Sequence, residues 1–277
     1  MAISPIAVKE KAEQIPDKQE GDRHLMPACQ KTDEIKLVVV FPARNEAETI
    51  GHCIETVKKS KYEPEIVVVD GHSRDKTSIE ARSAGATVVE QSQDMFPAKG
   101  IAMRDGLKKA FSLGAEFIMF LDADIVSLTT EWIDLLARPV IERACDMSRG
   151  YYQRANYDGA VTKLVAKPLT KTFFPEVSHF EQPLSGEICA TSELFRTLST
   201  SQDWPNGWGI DIWLLIEAAM KNHDIAEVYL GTKEHTSRQD YEKDVVGLAR
   251  MAEQVSLTIF REALKHKRLD NLKSLSL

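Results

Sequence analysis

At 277 residues, with 43% hydrophobic and 28% charged side chains, the chain has the make-up of a soluble globular protein sized for one large domain with appendages. A net charge of −7 argues against a broad nucleic-acid surface, and no apolar run approaches the roughly 18 residues that a membrane span needs. The N-terminus lacks a signal-peptide core, and Cys29, Cys53, Cys145 and Cys189 are scattered without a C-x-x-C pair, so free thiols in a cytoplasmic protein are expected.

Residues 1–33 are polar, mixed in charge and interrupted by Pro5, Pro16 and Pro27, which predicts a mobile arm. Leu37-Val38-Val39-Val40-Phe41 is nearly all apolar and β-branched, the pattern of a central parallel strand, with Pro42 expected to end it. A helix is expected to open near Asn45, with Glu46 and Glu48 in its first turn and Ile50, Cys53, Ile54 and Val57 buried. The pattern repeats as a strand over 66–69, a helix from Asp75-Lys76-Thr77 with Ile79, Ala81 and Ala84 inward, a strand over 86–89, a helix over 99–113 and a strand over 117–121. Strands alternating with helices this closely predict an α/β fold, a mostly parallel sheet flanked by helices on both faces. The second half is less regular. Helices are expected over 132–143, 162–169 and 210–221, and strands over 146–152 and 225–230. A long helix over 240–268 would carry Val245, Leu248, Met251, Ala252, Val255, Ile259 and Leu264 as its stripe.

Ligands of such sheets bind beyond the carboxyl ends of the strands. Arg44, Asp70 and Asp122-Ala123-Asp124 all fall there. Alternation along the strand points Asp122 and Asp124 to one side. Like charges that close repel unless a cation sits between them. Oxygen ligands favour Mg²⁺ or Mn²⁺, ions that also bind diphosphate oxygens. The D-x-D segment is therefore read as a metal-diphosphate anchor, against the plainer reading of a solvated strand-end turn. No G-x-G-x-x-G and no G-x-x-x-x-G-K-[ST] follows any strand, which removes the main support for a dinucleotide-dependent redox enzyme or a P-loop NTPase.

Phe41-Pro42-Ala43-Arg44-Asn45-Glu46, Val69-Asp70-Gly71-His72-Ser73-Arg74-Asp75-Lys76-Thr77 and Asp122-Ala123-Asp124 together resemble the nucleotide-binding half of the GT-A (Rossmann-like) glycosyltransferases. Three later segments narrow the resemblance to the glucosyl-3-phosphoglycerate synthase family over about residues 35–260. These are Gln182-Pro183-Leu184-Ser185-Gly186-Glu187, Gly207-Trp208-Gly209-Ile210-Asp211, and Leu230-Gly231 followed by His235. The resemblance implies a metal-dependent, retaining transfer of a hexose, glucose above all, from a UDP-, GDP- or ADP-sugar to 3-phosphoglycerate or a related small hydroxy acid. It implies a homodimer without stable membrane insertion. Its donor-site residues are Pro42, Ala43, Arg44, Glu46, Asp70, Ser73, Lys99, Asp122 and Ala123. Asp122, Asp124 and His235 are its Mg²⁺ or Mn²⁺ ligands. Asp124, Lys99, Glu187 and Asp211 are its catalytic groups, and Gly159, Val161, Thr162, Ser185 and Gly186 face the acceptor.

Organised this way, the chain divides into a nucleotide-sugar half over 34–130, an acceptor half over 131–238 and a C-terminal helix and tail over 239–277. The acceptor segment departs from the family's G-R-V-T-E-L, because Ala160 stands where an arginine is usual and Lys163 where a glutamate is. Thr236-Ser237 replace the usual Arg-Asn after His235. A lost guanidinium removes a bidentate phosphate donor, for which Lys163, Arg154, Lys171 or Arg238 can substitute. Competing expectations are mannosyl transfer, a lipid-phosphate or sugar acceptor, a sugar-phosphate nucleotidyltransferase, and a non-catalytic nucleotide-sugar sensor.

Overall fold

Runs of apolar residues buried on both faces become the centre of the sheet. β1 (Leu37–Ala43), β2 (Glu65–Asp70), β3 (Thr87–Glu90) and β4 (Phe117–Phe120) lie side by side in the order β3-β2-β1-β4, all parallel. The computed structural model describes residues 35–154, 159–235 and 245–269, which fall within one compact unit, Ile35–Leu277. The arm expected over 1–33, Cys29, Thr236, Ser237, Arg238 and the first residues of the expected C-terminal helix lie outside the described residues.

Helices α1 (Ile50–Val57), α2 (Thr77–Ser83) and α3 (Lys99–Ser112) make the crossovers, and α4 (Thr130–Ile141) follows β4. The rest of the chain extends the sheet. β5 (Met147–Gln153), α5 (Lys167–Phe173), β6 (Ile188–Thr191), α6 (Ser192–Ser199), α7 (Ile210–Met220), β7 (Ile225–Thr232) and α8 (Val245–Lys265) complete the described chain. The seven-stranded order is β3-β2-β1-β4-β6-β5-β7, with β6 antiparallel to both neighbours and β5 parallel to β7. One core lies under α1 and α4 around Phe41, Ile54 and Trp132. A second lies under α3, α6 and α7 around Met103, Phe195 and Trp213, and a third joins α5, α7 and α8.

Several expectations needed correction. β1 does not end at Pro42, which stays in register with Val69 of β2. Main-chain groups alternate between neighbours along a strand, so the N–H that Pro42 lacks falls on the β4 side, where β4 has already ended at Phe120. The segment 45–48 is a turn, not the start of α1. Asn45 has φ +57° and the helix begins only at Ile50, so Glu46 and Glu48 do not occupy its first turn. Ile79 is 59% exposed rather than inward. A π-helical turn, Thr162–Ala166, precedes α5, which carries the helix on to Phe173. β6 and α6 were not anticipated. On α8, Val245 and Leu264 are exposed, and the buried face is Val255, Thr258, Ile259, Glu262 and Ala263.

α3 packs flush on the sheet because Gly106 has no side chain. A Cβ there would lie 2.4 Å from Val40 Cγ1 and 3.2 Å from Val69 Cγ2. Gly106→Ala is therefore expected to destabilise the protein by about 1–3 kcal/mol despite alanine's better helix propensity. Urea denaturation measures this, and an unchanged or higher midpoint would contradict the packing.

Candidate active site

The site is built at the edge where β1, β2 and β4 finish and β6 begins. The turn after β1 is pinned to the turn after β2 by side chains. The N–H groups of Asn45, Glu46 and Ala47 donate to Ser73 Oγ (2.8 Å), Thr77 Oγ1 (2.8 Å) and Asp75 Oδ2 (3.2 Å). Asn45 Oδ1 in turn accepts from Arg74 N–H at 2.7 Å. These bonds hold Pro42, Ala43, Arg44 and Glu46 along one wall of a cleft of about 430 Å³. Asp70 is turned elsewhere, accepting from Ser73 N–H (3.1 Å) and Ser78 Oγ–H (2.6 Å). Asp70 and Ser73 brace the loops that shape the cleft, and neither is among the residues lining it.

The D-x-D turn is fixed from below. The Ala123 carbonyl accepts from buried Thr49 Oγ1 at 2.7 Å, with Cys53 Sγ 3.7 Å away. Burial, reinforced by nearby Asp124, pushes the Cys53 thiol up to about 12 and keeps it protonated. Lys99, the first residue of α3, is anchored through its neighbours. Trp204 Nε1–H donates to the Gly100 carbonyl at 2.8 Å, and a Cβ on Gly100 would sit 1.8 Å from the Pro205 carbonyl oxygen.

A row of alternating charges crosses the site floor. Lys99 Nζ is 2.9 Å from both Asp211 Oδ2 and Asp122 Oδ1. Lys233 Nζ is 2.9 Å from Asp122 Oδ2 and 2.6 Å from Glu187 Oε1, and Ser185 Oγ donates to Glu187 Oε2 at 3.0 Å. Burial alone would lower both lysines. The carboxylates of Asp122 with Asp211, and of Asp122 with Glu187, overcome it and hold both ammonium groups charged above their ordinary range. Asp122 also resists burial, and Lys233 and Lys99 keep its carboxyl well below the usual range. Asp211 is the strained member. Burial raises it to about 6 despite Lys99, and its buried Oδ1 has no hydrogen-bond partner.

Asp122 and Asp124 were expected to share one cation with His235. In this metal-free arrangement Asp122 is paired with both lysines, and the ligand atoms of the three residues do not all lie within 4.8 Å of one another. Asp124 and His235 do meet, with Oδ2 and Nδ1 3.5 Å apart at the cleft wall. A carboxylate oxygen beside an imidazole nitrogen, both open to the cleft, suits Mn²⁺ or Mg²⁺ with diphosphate oxygens filling the remaining positions.

Ser185, Gly186 and Glu187 lie beneath the cleft, not in it. Gly186 passes so close to Asp122 that a Cβ would fall 2.5 Å from its Oδ1 and 2.6 Å from Lys99 Nζ. Glu187 is fully buried and reaches the cleft only through Lys233. The carbonyls of Pro183 and Ser185 accept from the buried Arg149 guanidinium at 3.2 and 2.9 Å. A second cleft opens beside the first, with Arg154 lining both. Gly159, Thr162, Lys163 and Lys167 contribute to it, whereas Val161 points into the core. Lys167 is paired with Glu181 at 2.6 Å. Trp208 borders the first cleft edge-on to Phe96, and Trp213 is buried packing. Sequence reasoning missed Lys233 and Arg149. Lys233 stands two residues before His235, so an extended segment presents K-x-H on one side as Asp122-Ala123-Asp124 presents D-x-D.

Parallel strands with acidic side chains at their carboxyl ends, and a paired carboxylate and imidazole beside them, match the arrangement of a nucleotide-sugar glycosyltransferase of the GT-A fold. Comparison with known proteins agrees. A family model described as the glycosyltransferase domain of mannosylglycerate synthase matches residues 30–247. The glucosyl-3-phosphoglycerate synthase of Mycolicibacterium smegmatis is 34% identical over 242 residues, covering 80% of this chain and 75% of that one. The Petrotoga mobilis glucosyl-3-phosphoglycerate synthase is 29% identical, covering 91% and 81%. The Mycobacterium tuberculosis glucosyl-3-phosphoglycerate synthase, solved with Mn²⁺, UDP-glucose and phosphoglyceric acid, superposes with a TM-score of 0.71 at 30% identity, covering 83% and 80%. The same enzyme has also been solved with Mg²⁺ and UDP. The chain belongs to the glycosyltransferase family that holds the mannosylglycerate and glucosyl-3-phosphoglycerate synthases.

Asp211 yields a stability prediction. A carboxyl raised in the fold destabilises it when charged; the penalty is complete above about pH 6 and vanishes near its ordinary value of 3.8. Asp211→Asn should therefore raise unfolding free energy by about 1–3 kcal/mol at neutral pH, with the gain shrinking as pH falls. Urea titrations at both ends of that range read it; a variant less stable at neutral pH would refute the assignment.

Proposed function

We propose that the protein transfers glucose from UDP-glucose to 3-phosphoglycerate, dependent on Mn²⁺ or Mg²⁺ and with retention at the anomeric carbon. The observation that carries this is the single cleft shared by Lys99, Asp211 and the Asp124–His235 pair, in a chain that belongs to this family. Pro42, Ala43, Arg44 and Glu46 take the nucleoside, and the Ala123 backbone sits beside them. Asp124 and His235 hold the cation, so the D-x-D segment contributes its second aspartate to the metal and its first to the lysines. When bound, the ion supplies Lewis-acid stabilisation of charge on the departing diphosphate. Lys99 adds a permanently charged ammonium at the same wall. Asp122 and Glu187 act at one remove, keeping the two ammonium groups in place. Asp211, restrained by Lys99 and with one oxygen unpartnered, accepts a hydrogen bond from a substrate hydroxyl and does not attack the sugar. Same-face attack by the acceptor, assisted by the leaving phosphate, then gives retention.

The second cleft takes the acceptor. Its lining holds Arg154, Lys163 and Lys167 around Thr162 against one carboxylate, Glu181, which is paired with Lys167; that cationic excess supports an anionic substrate although Ala160 lacks a guanidinium. A phosphorylated acid fits this lining better than a neutral sugar. No described helix is long and apolar enough to cross a membrane. The buried free thiols Cys53, Cys145 and Cys189 support a reducing, cytoplasmic setting.

The reading includes a homodimer through α8. Leu257, Phe260 and Leu264 make an exposed stripe on that helix, and exposed Glu253 and Arg261 lie four residues to either side of Leu257. Antiparallel two-fold pairing about Leu257 brings Glu253 of each copy to the partner's Arg261, with the apolar stripe between them. Light scattering should give a dimer for the parent and a monomer for Leu257→Glu; a monomeric parent sinks this arrangement.

The reaction is tested by nucleotide diphosphate release from UDP-, GDP- and ADP-glucose and GDP-mannose, with 3-phosphoglycerate or glycerate as acceptor. UDP-glucose with 3-phosphoglycerate should give the highest kcat/KM. His235→Ala should lower transfer by about 100-fold or more and raise the Mn²⁺ needed. Lys163→Ala should raise KM for 3-phosphoglycerate by about 10-fold while leaving that for UDP-glucose in place. Full activity without added cation in His235→Ala, or a stronger response to glycerate, would overturn the assignment.

A further inference from the structure

Away from both clefts, the contact between α7 and α8 encloses a second set of metal-ligand groups. Glu217 of α7 and Glu262 of α8 are 1% and 2% exposed. His266 follows Glu262 by one helical turn, its backbone N–H donating to the Glu262 carbonyl at 2.9 Å. The ligand atoms of these three residues all lie within 4.8 Å of one another. His266 Nε2 is 3.0 Å from Glu217 Oε1 and 3.5 Å from Glu262 Oε2. A tetrahedral ion with bonds of about 2.0–2.1 Å sets its ligand atoms about 3.3 Å apart, which brackets those separations. Glu262 Oε2 is buried in the cluster and makes no conventional hydrogen bond, its nearest cationic neighbours being His266 Nε2 and Lys265 Nζ, each 3.5 Å away.

We propose that Glu217, Glu262 and His266 form a second divalent-cation site, of the kind that takes zinc, clasping α8 to α7 apart from the donor cleft. Lys265 stands in for the ion in its absence. Its Nζ is 2.7 Å from Glu217 Oε1 and 3.5 Å from Glu262 Oε2. The lysine is 36% exposed on a flexible stem and already reaches Asp203 at 3.2 Å. It can turn fully to Asp203 as a cation enters, with water as the fourth ligand. Lys221, 3.6 Å from Glu217 Oε2, stays on the far side of that carboxylate. The clasp bears on catalysis through α8 itself. Val246, Leu248 and Met251 on this helix line the donor cleft, and Gln254 Oε1 accepts from Trp208 N–H at 2.8 Å.

The test is calorimetric titration of metal-freed full-length protein with Zn²⁺, alongside the visible spectrum with Co²⁺. The His235→Ala protein, lacking the donor-cleft imidazole, should keep one site per chain and the strong bands of tetrahedral cobalt. His266→Ala should bind at that site at least about 10-fold more weakly. Lys265→Met, which removes the competing ammonium and leaves every ligand in place, should bind Zn²⁺ more tightly than the parent and carries the test if His266→Ala does not fold. Loss of all zinc binding in His235→Ala, or a Lys265→Met protein that binds no tighter than the parent, would overturn the proposal.

Discussion

Asp122 sits between two ammonium groups, and the remainder of the site is arranged around that fact. A buried carboxylate is tolerable only when it is paired, and a buried lysine likewise. Here each group answers for its neighbours along Asp211, Lys99, Asp122, Lys233 and Glu187. Three acids and two lysines leave one negative charge in the row, and buried Arg149 beside it restores neutrality. The residual mismatch gathers at Asp211, the acid with a raised pKa and an unpartnered oxygen, and that acid faces the cleft.

Sheet topology explains how residues so distant in sequence form this row. β4 ends at Phe120, which lies opposite Ile188, where β6 starts in the reverse direction. The residue before β6, Glu187, therefore arrives at the same edge as the residues after β4. β7, parallel to β5, delivers Lys233 and His235 to that edge as well. A purely parallel sheet would have put the start of β6 at the opposite end.

The donor half was legible because its strands are continuous apolar runs and its acids stand at their ends. Asp122, Asp124 and the position of Lys99 at a helix start could be read directly. The surroundings of Asp70 and Ser73 could not be read in that way, because a strand-end aspartate that binds ribose and one that braces its own loop share one local pattern. Here Ser78, eight residues on, holds the Asp70 carboxylate against its own loop. Lys233 was invisible for a related reason. In Thr232-Lys233-Glu234 it looks like a solvated lysine, and its burial depends on Asp122 and Glu187, 111 and 46 residues away. β6 has only four residues and follows a polar loop, so its strand character comes from its neighbours and not from its own periodicity.

Arg154 borders both clefts, yet the two are built from separate stretches of chain. The first takes its walls from the ends of β1 and β4, the second from the tail of β5 and the turn over 159–167. Replacements at Ala160 or Lys163 leave the carboxylate–ammonium row untouched. Under the proposed assignment of the second cleft to the acceptor, a lineage carrying this fold can exchange what it glycosylates by drift in that turn, while keeping the first cleft intact.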